Sequence, residues 1–393
     1  MKRILDDAKA IQNKIVKHRR FFHENAEVGA ELPKTKEYVL SQLKNFGYDP
    51  AEICESGIVA IAGGKKAGKT ILIRGDMDAL SLEEETDLAF KSKTGNMHAC
   101  GHDMHAAMLL GVAELLKNNE EEIEGTIKLM FQPDEEGFTG AERMVNAGVL
   151  ESPKVDAALA LHVTPLLPSG VVLGGSGKIA SSCDRFRITI TGRGGHGAFA
   201  HETIDPINVG AHIHTALQTI NSREVDAMEP AVVTIGSFNG GDEPNIIPDK
   251  VVMEGTVRTH SKDTRNMILR RIDEISKSIA CAFNAKSELE IMMSCPALYN
   301  EHNFSNEIIS YISALLGKEK VVCSNNKIMG SEDFSHISDR VQSFYMGFGS
   351  GNAAEGYIYS AHNSKVMFNE EILYQGSATL VYAALEWLKN NKS

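Results

Sequence analysis

Apolar residues recur along the chain with two periods, and the points where the period changes mark its organisation. Ile4, Leu5, Ala8, Ile11, Ile15 and Phe22, with His18 among them, repeat at near-helical spacing. That spacing predicts one amphipathic helix over 4–25. A second helix is expected over 34–47, stopped by Gly47. Short continuous apolar runs then begin, at 57–62 and 70–74. The Gly/Lys-rich stretch 63–69 between them reads as a hairpin turn. It lacks the ordered Gly-Lys-Ser/Thr pattern before a helix, so it is not a phosphate loop. A long apolar run, Ala106 to Leu116, reads as a buried helix. Further strands are expected at 126–131 and 155–163, with a helix over 142–147 between them.

The pattern changes near residue 180. Arg185 to Thr191 alternates like a half-buried strand, and Gly192 to Gly197 is a glycine-rich turn carrying His196. Residues 205–223 read as a helix with Asp205 as N-cap and Pro206 at the first helical position. Strands at 232–238 and 250–259, a helix at 263–283 and a strand at 287–293 complete a β-α-β-β-α-β order. This is a ferredoxin-like module of about 110 residues. It interrupts the first domain, because helix (304–316), strand (343–348) and a final amphipathic helix to about Lys389 follow it. The expected fold is therefore α/β, with one domain made from 1–180 and 295–393 and a second inserted at 181–294.

Composition narrows the function class. A chain of 393 residues is longer than one hydrophobic core usually serves. Its 42% hydrophobic and 23% charged residues are ordinary for a soluble enzyme. A net charge of −12 with no long basic run argues against nucleic acid or an anionic membrane as partner. The charged start, Met1 to Lys9, has no apolar signal core, and no apolar stretch reaches about eighteen residues. A cytoplasmic chain is expected, with its six scattered cysteines reduced.

Candidate chemistry concentrates in Asn96 to His105, where three histidines, Cys100 and Asp103 fall within ten residues. In extended backbone, Cys100 and His102 leave the same face, and Gly101 between them admits a close metal approach. Polar ligand types also end several apolar strands. Asp76 and Asp78 follow the strand at 70–74. Asp134, Glu135 and Glu136 follow 126–131, His162 ends 155–163, and His362 lies on a late loop. Each alone reads equally well as a capping aspartate, a solvated acidic loop or a packed histidine. Repetition at strand ends makes the set informative. Cys100, His102, Glu136, His162 and His362 are the candidate ligands. Their sulfur, nitrogen and oxygen donors suit zinc, manganese, cobalt or nickel rather than magnesium or calcium. Five such residues suffice for two ions, which activate a water and polarise a carbonyl. Glu135, beside Glu136, is the candidate base, and Asp78 a carboxylate that orients a ligand histidine. No Gly-x-Ser-x-Gly elbow supports serine chemistry.

Several stretches carry a family resemblance, in order, from about residue 18 to the C-terminus. They are Arg74–Leu80, Met97–Asp103, Phe131–Gly137, Leu161-His162, Gly192–Gly197, Asn245–Pro248 and His362–Ser364. The chain resembles the M20 family of metallopeptidases and aminoacylases, in the branch of hippurate hydrolase, N-acetyldiaminopimelate deacetylase and indole-acetyl-amino-acid hydrolases. The resemblance implies two divalent transition-metal ions held by the five candidate ligands and Glu135 as general base and acid. It implies His196 on the inserted module as the group that steadies the oxyanion, Asn245 and Arg258 as binders of the substrate carboxylate, and Asp78 and Asp103 as supports behind the ligands. The inserted module would be a lid and dimerisation domain, making a homodimer or higher homo-oligomer. The expected reaction is hydrolysis of an N-acyl-L-amino acid, N-acetyl or aromatic acyl, to a carboxylate and a free amino acid. A dipeptidase or carboxypeptidase using the same centre, or a silent ligand-binding member, are the alternatives. Asp134, Phe199 and His201 depart from the family pattern: Asp134 would raise the pKa of Glu135 or add a weak ligand, and Phe199 and His201 would bear on substrate choice.

Overall fold

The computed structural model describes residues 2–392 and forms two compact units. The first contains the chain up to Ile179, Tyr299–Asn326 and Asp333 onward; the second contains Ala180–Leu298 and Lys327–Glu332. The second unit thus gains the short segment 327–332, where sequence pattern alone shows only a polar turn.

An eight-stranded mixed sheet runs through the first unit. Its spatial order is Ala51–Cys54, Gly57–Gly63, Thr126–Gln132, Thr70–Asp76, Ala157–Thr164, Gln342–Gly349, Val172–Gly174 and Val321–Cys323. The four strands from Thr126–Gln132 to Gln342–Gly349 run parallel. Thr70–Asp76 and Thr126–Gln132 are buried at every residue, as a sheet covered on both faces requires. The expected hairpin at 63–69 does not form. Gly57–Gly63 pairs with Thr126–Gln132, which lies between it and Thr70–Asp76. The turn residues are real, but the partner comes from about sixty residues further on, which local pattern cannot register.

The expected helix over 4–25 is two helices, Lys2–Ala10 and Gln12–Glu24, broken at Ile11. Ala8, Ile11 and Ile15 all enter the same core, so the apolar period runs through the break and hides it. Helix His102–Asn118 is buried over its first fifteen residues and packs against Gln12–Glu24, Leu373–Asn390 and the strand Thr70–Asp76. A Cβ at Gly111 would lie 2.7 Å from Ser377 Oγ and 2.8 Å from Ile15 Cδ1, so this glycine permits the close helix approach.

In the second unit an antiparallel sheet has the order Ala231–Asn239, Lys250–Thr259, Cys183–Thr191, Lys286–Cys295. Helices Pro206–Thr219 and Lys262–Ala282 supply Ile213, Leu217, Ile268 and Ile272 to one core with Phe186, Ile188, Ile190, Val251 and Met253. Asp205 caps the first helix by accepting from the amides of Ile207 and Asn208. His196 does not sit in an open turn: Gly195-His196 pairs as a short strand with Ile246-Ile247. Among the described residues no helix is long and apolar enough to cross a membrane.

Candidate metal centre

The ligand-rich stretch enters helix His102–Asn118 through a turn rather than extended backbone. Gly101 has φ 86° and precedes the first helical residue, His102. A Cβ at Gly101 would lie 2.3 Å from Val163 Cγ2. The glycine is therefore required by its left-handed backbone and by the neighbouring strand end.

This turn meets the ends of three buried strands. Cys100 Sγ lies 3.4 Å from His162 Nε2. His362 Nε2 lies 3.3 Å from Glu136 Oε1, and the His362 amide donates to Ala99 O at 2.9 Å. Donor atoms of Cys100, His102 and His162 fall within 4.8 Å of one another, as do those of Cys100, Glu136 and His362. All five candidate ligands are thus brought together, in two groups that share Cys100. Donor atoms of His102, Glu135 and Glu136 form a further such group.

The residues fit divalent transition metal. His102 Nδ1 donates to Asp78 O at 2.9 Å, while its buried Nε2 has no hydrogen-bond partner. A satisfied Nδ1 and an unsatisfied Nε2 are how a ligand imidazole is prepared. Burial alone would lower the His102 pKa, but Asp76, Cys100 and Asp78 together outweigh burial and hold it well above the usual value. A field that favours a proton there favours a metal cation too. Burial pushes the Cys100 thiol up to about 12, so a thiolate at this position calls for a cation beside it. On Glu136, burial is outweighed by His362, which draws the carboxyl below its ordinary value.

Asp78 organises the acidic side. Its Oδ1 accepts from the Glu135 amide at 3.0 Å and its Oδ2 from the Glu136 amide at 3.1 Å. Glu135 is only 5% exposed, with Oε2 4.0 Å from His102 Nε2. Asp134 has φ 56°, and its carboxylate accepts from Thr139 Oγ1, so it is engaged in its own turn.

Asp103 lies on a different side of the helix: it pairs with Arg19 and His23. His105 is engaged as well. Its Nε2 accepts from the Val163 amide at 2.8 Å and its Nδ1 donates to Asp76. It pins the residue after His162, and its ring packs edge-on against His162 at 4.6 Å. Asp76 in turn pairs with Arg74, which reaches Asp333 at 3.0 Å, and Gln132 Nε2 also donates to Asp333. Arg74, Gln132 and Asp333 carry no role in the sequence reading, whereas Asp76 and His105 stand among its ligand-type residues. One signal was available: Arg74 and Asp76, two apart on a strand, share a face.

The three candidates in the second unit lie as follows. His196 is exposed, its Nδ1 accepting from the Ala198 amide, with Phe199 5.4 Å away ring to ring. Asn245 is exposed and accepts from the Gly197 amide at 2.8 Å. Arg258 is half-buried and donates to Ser331 Oγ at 2.7 Å.

A sequence profile of peptidase family M20/M25/M40 matches residues 72–386. The chain belongs to this family. It is 36% identical to thermostable carboxypeptidase 2 of Saccharolobus solfataricus, over 100% of this chain and 99% of that protein. It is 33% identical to the N-acetylcysteine deacetylase of Bacillus subtilis, over 97% and 99%. A crystal structure of a Bacillus subtilis protein, described as a dinuclear metal binding peptidase from the M20 family, superposes with a TM-score of 0.81 at 31% identity. It covers 97% of this chain and 99% of that one. Within the M20/M25/M40 family this chain is a metal-dependent amidohydrolase, and its mixed α/β fold is that of M20 peptidases.

Proposed function

We propose that the chain hydrolyses the amide bond of N-acyl-L-amino acids, releasing a carboxylate and a free amino acid. The observation that carries this is the meeting of Cys100, His102, Glu136, His162 and His362 beside the buried Glu135. Two ions held there, zinc, manganese, cobalt or nickel, would supply Lewis acidity toward a carbonyl and a water. Glu135 takes the proton from the attacking water and passes it to the departing amine nitrogen. Asp78 fixes the Glu135 backbone so that the carboxylate is presented from a rigid strand end. On the family resemblance, His196 steadies the developing oxyanion, and Asn245 and Arg258 hold the substrate carboxylate.

Relatives that bear deacetylase and amino-acid-conjugate hydrolase names favour N-acyl substrates. The carboxypeptidase relatives favour a second reading, a carboxypeptidase on the same centre. A panel of N-acetyl- and N-benzoyl-amino acids against free dipeptides and blocked peptides separates them, measured before and after chelation and after adding back zinc, manganese, cobalt or nickel. Metal-restored cleavage of the N-acyl amino acids is expected. Restored cleavage of peptides alone would replace the first reading with the second.

A further inference from the structure

Behind the ligand turn lies a buried ion network that the proposed chemistry does not use. Helix Gln12–Glu24 presents Arg19 and His23, both 1% exposed, toward helix His102–Asn118. Arg19 Nε donates to Asp103 Oδ2 at 3.0 Å, and His23 Nδ1 lies 2.9 Å from the same oxygen. The other nitrogen of His23, Nε2, lies 3.1 Å from Glu84 Oε2. A neutral imidazole donates only once, so two carboxylates at its two nitrogens call for the doubly protonated ring. Arg19 also reaches Glu370 at 3.1 Å.

Asp103 is the residue after His102, and successive side chains on a helix point about 100° apart. Fixing Asp103 against helix Gln12–Glu24 therefore fixes the rotation of the ligand helix about its axis. It sets the direction of His102 and the start of the turn that carries Cys100. We infer that Arg19 and His23 are positioning residues, a cationic clamp on Asp103 that orients His102 and Cys100 from behind. This rests on the proposed metal centre and adds to it a part of the chain that precedes the matched family region, 72–386.

The surroundings make the clamp sensitive to pH. His23 faces Asp103 from the ligand helix, Glu84 from the loop after the strand Thr70–Asp76, and His98 from the ligand turn, its ring 6.4 Å away. On its own helix it faces Arg19, and the Phe90 ring meets it edge-on at 5.4 Å. Burial alone would lower its pKa; the bonds to Asp103 and Glu84 outweigh burial and raise it. A raised folded value means stability that is present below the unfolded value, about 6.5, and lost as pH rises through the folded one.

The test is zinc affinity, by competition with a chromophoric chelator, for the full chain and for His23→Leu, His23→Gln, Arg19→Met and Arg19→Lys. His23→Leu and Arg19→Met are expected to weaken zinc binding by about tenfold. His23→Gln and Arg19→Lys, which keep a donor to Asp103, are expected to recover most of it. A role confined to general stability would lower melting temperatures and leave zinc affinity at 25 °C unchanged, and that result would overturn the clamp. Where His23→Leu or Arg19→Met does not fold, the metal-free melting temperature decides. It should fall from about pH 6 to about pH 9 more steeply in wild type than in His23→Gln, and equal slopes would overturn the clamp. A wild-type chain that takes up no metal would instead sink the proposed function, and this inference with it.

Discussion

Glu135 and Glu136 are adjacent in sequence and separate in chemistry. Glu136 stands against His362, while the buried Glu135 faces His102. Glu135→Gln should therefore keep metal content and lose amide hydrolysis by at least about a hundredfold. Metal analysis and turnover on the same sample check this; retained turnover would remove Glu135 from the proton path. Gly101→Ala tests the turn itself. The added methyl meets Val163 at 2.3 Å and must hold φ 86°. A loss on the order of 2–4 kcal/mol of stability is expected in denaturant titration. At this scale the sequence was informative about ligand types, because Glu136 and His162 follow apolar strands and Cys100 and His102 crowd one short stretch. It was less informative about their supports. His105 looks like a third ligand in sequence, yet its ring is committed to Asp76 and the Val163 amide. Asp103 reads from sequence as a support behind the ligands, but its own partners, Arg19 and His23, are not legible there. Which side of a helix a residue takes depends on partners far away in the chain.

At the scale of elements, the longer strands read from apolar runs, while short ones such as Ala51–Cys54 and Val172–Gly174 and the partner of Gly57–Gly63 did not. The turn at 63–69 joins strands that do not touch, because the sheet admits Thr126–Gln132 between them. That strand carries a lysine at its centre. Lys128 is 2% exposed, and its Nζ donates to the carbonyls of Val149, Glu151 and Pro153 at 2.7–2.9 Å. Burial lowers its pKa to about 8. Lys128→Met fills the same space and leaves three carbonyls without their donor. A loss of roughly 3 kcal/mol is expected, read as a lower midpoint in urea with an unchanged slope. An unaltered midpoint would mean that water replaces the ammonium at no cost. Nothing in the residue pattern marks this arrangement, since a lysine within a strand usually points to solvent.

At the scale of the molecule, each unit has its own core. All five candidate ligands, with Glu135, belong to the first unit, and His196, Asn245 and Arg258 to the second. Two cores make a single unfolding transition an unsafe assumption. Calorimetry is expected to show that zinc or manganese raises the transition of the first unit and leaves the other in place. Stabilisation by a bound ion reaches about 2.7 kcal/mol at a free concentration of one hundred times Kd. An equal rise in both transitions would count against confining the ligands to one unit. The structure divides at Ile179/Ala180, where the sequence switches from buried runs to alternation. The return of Lys327–Glu332 to the second unit was not visible in sequence, because a short polar segment has no period.

The discontinuity of the first unit also sets an order of events during synthesis. Ala180–Leu298 emerges as one uninterrupted segment with a sheet and core of its own, and domains generally fold as units as they leave the ribosome. The large sheet must wait for Gln342–Gly349, which adjoins Ala157–Thr164, and the ligand turn must wait for His362, whose amide closes on Ala99. Cys100, His102, Glu136 and His162 are all translated before the residue that completes their set. A nascent chain thus carries a partial donor set through most of its synthesis. On the proposed assignment, the five donors cannot all engage an ion before His362 has been made and its amide has closed on Ala99.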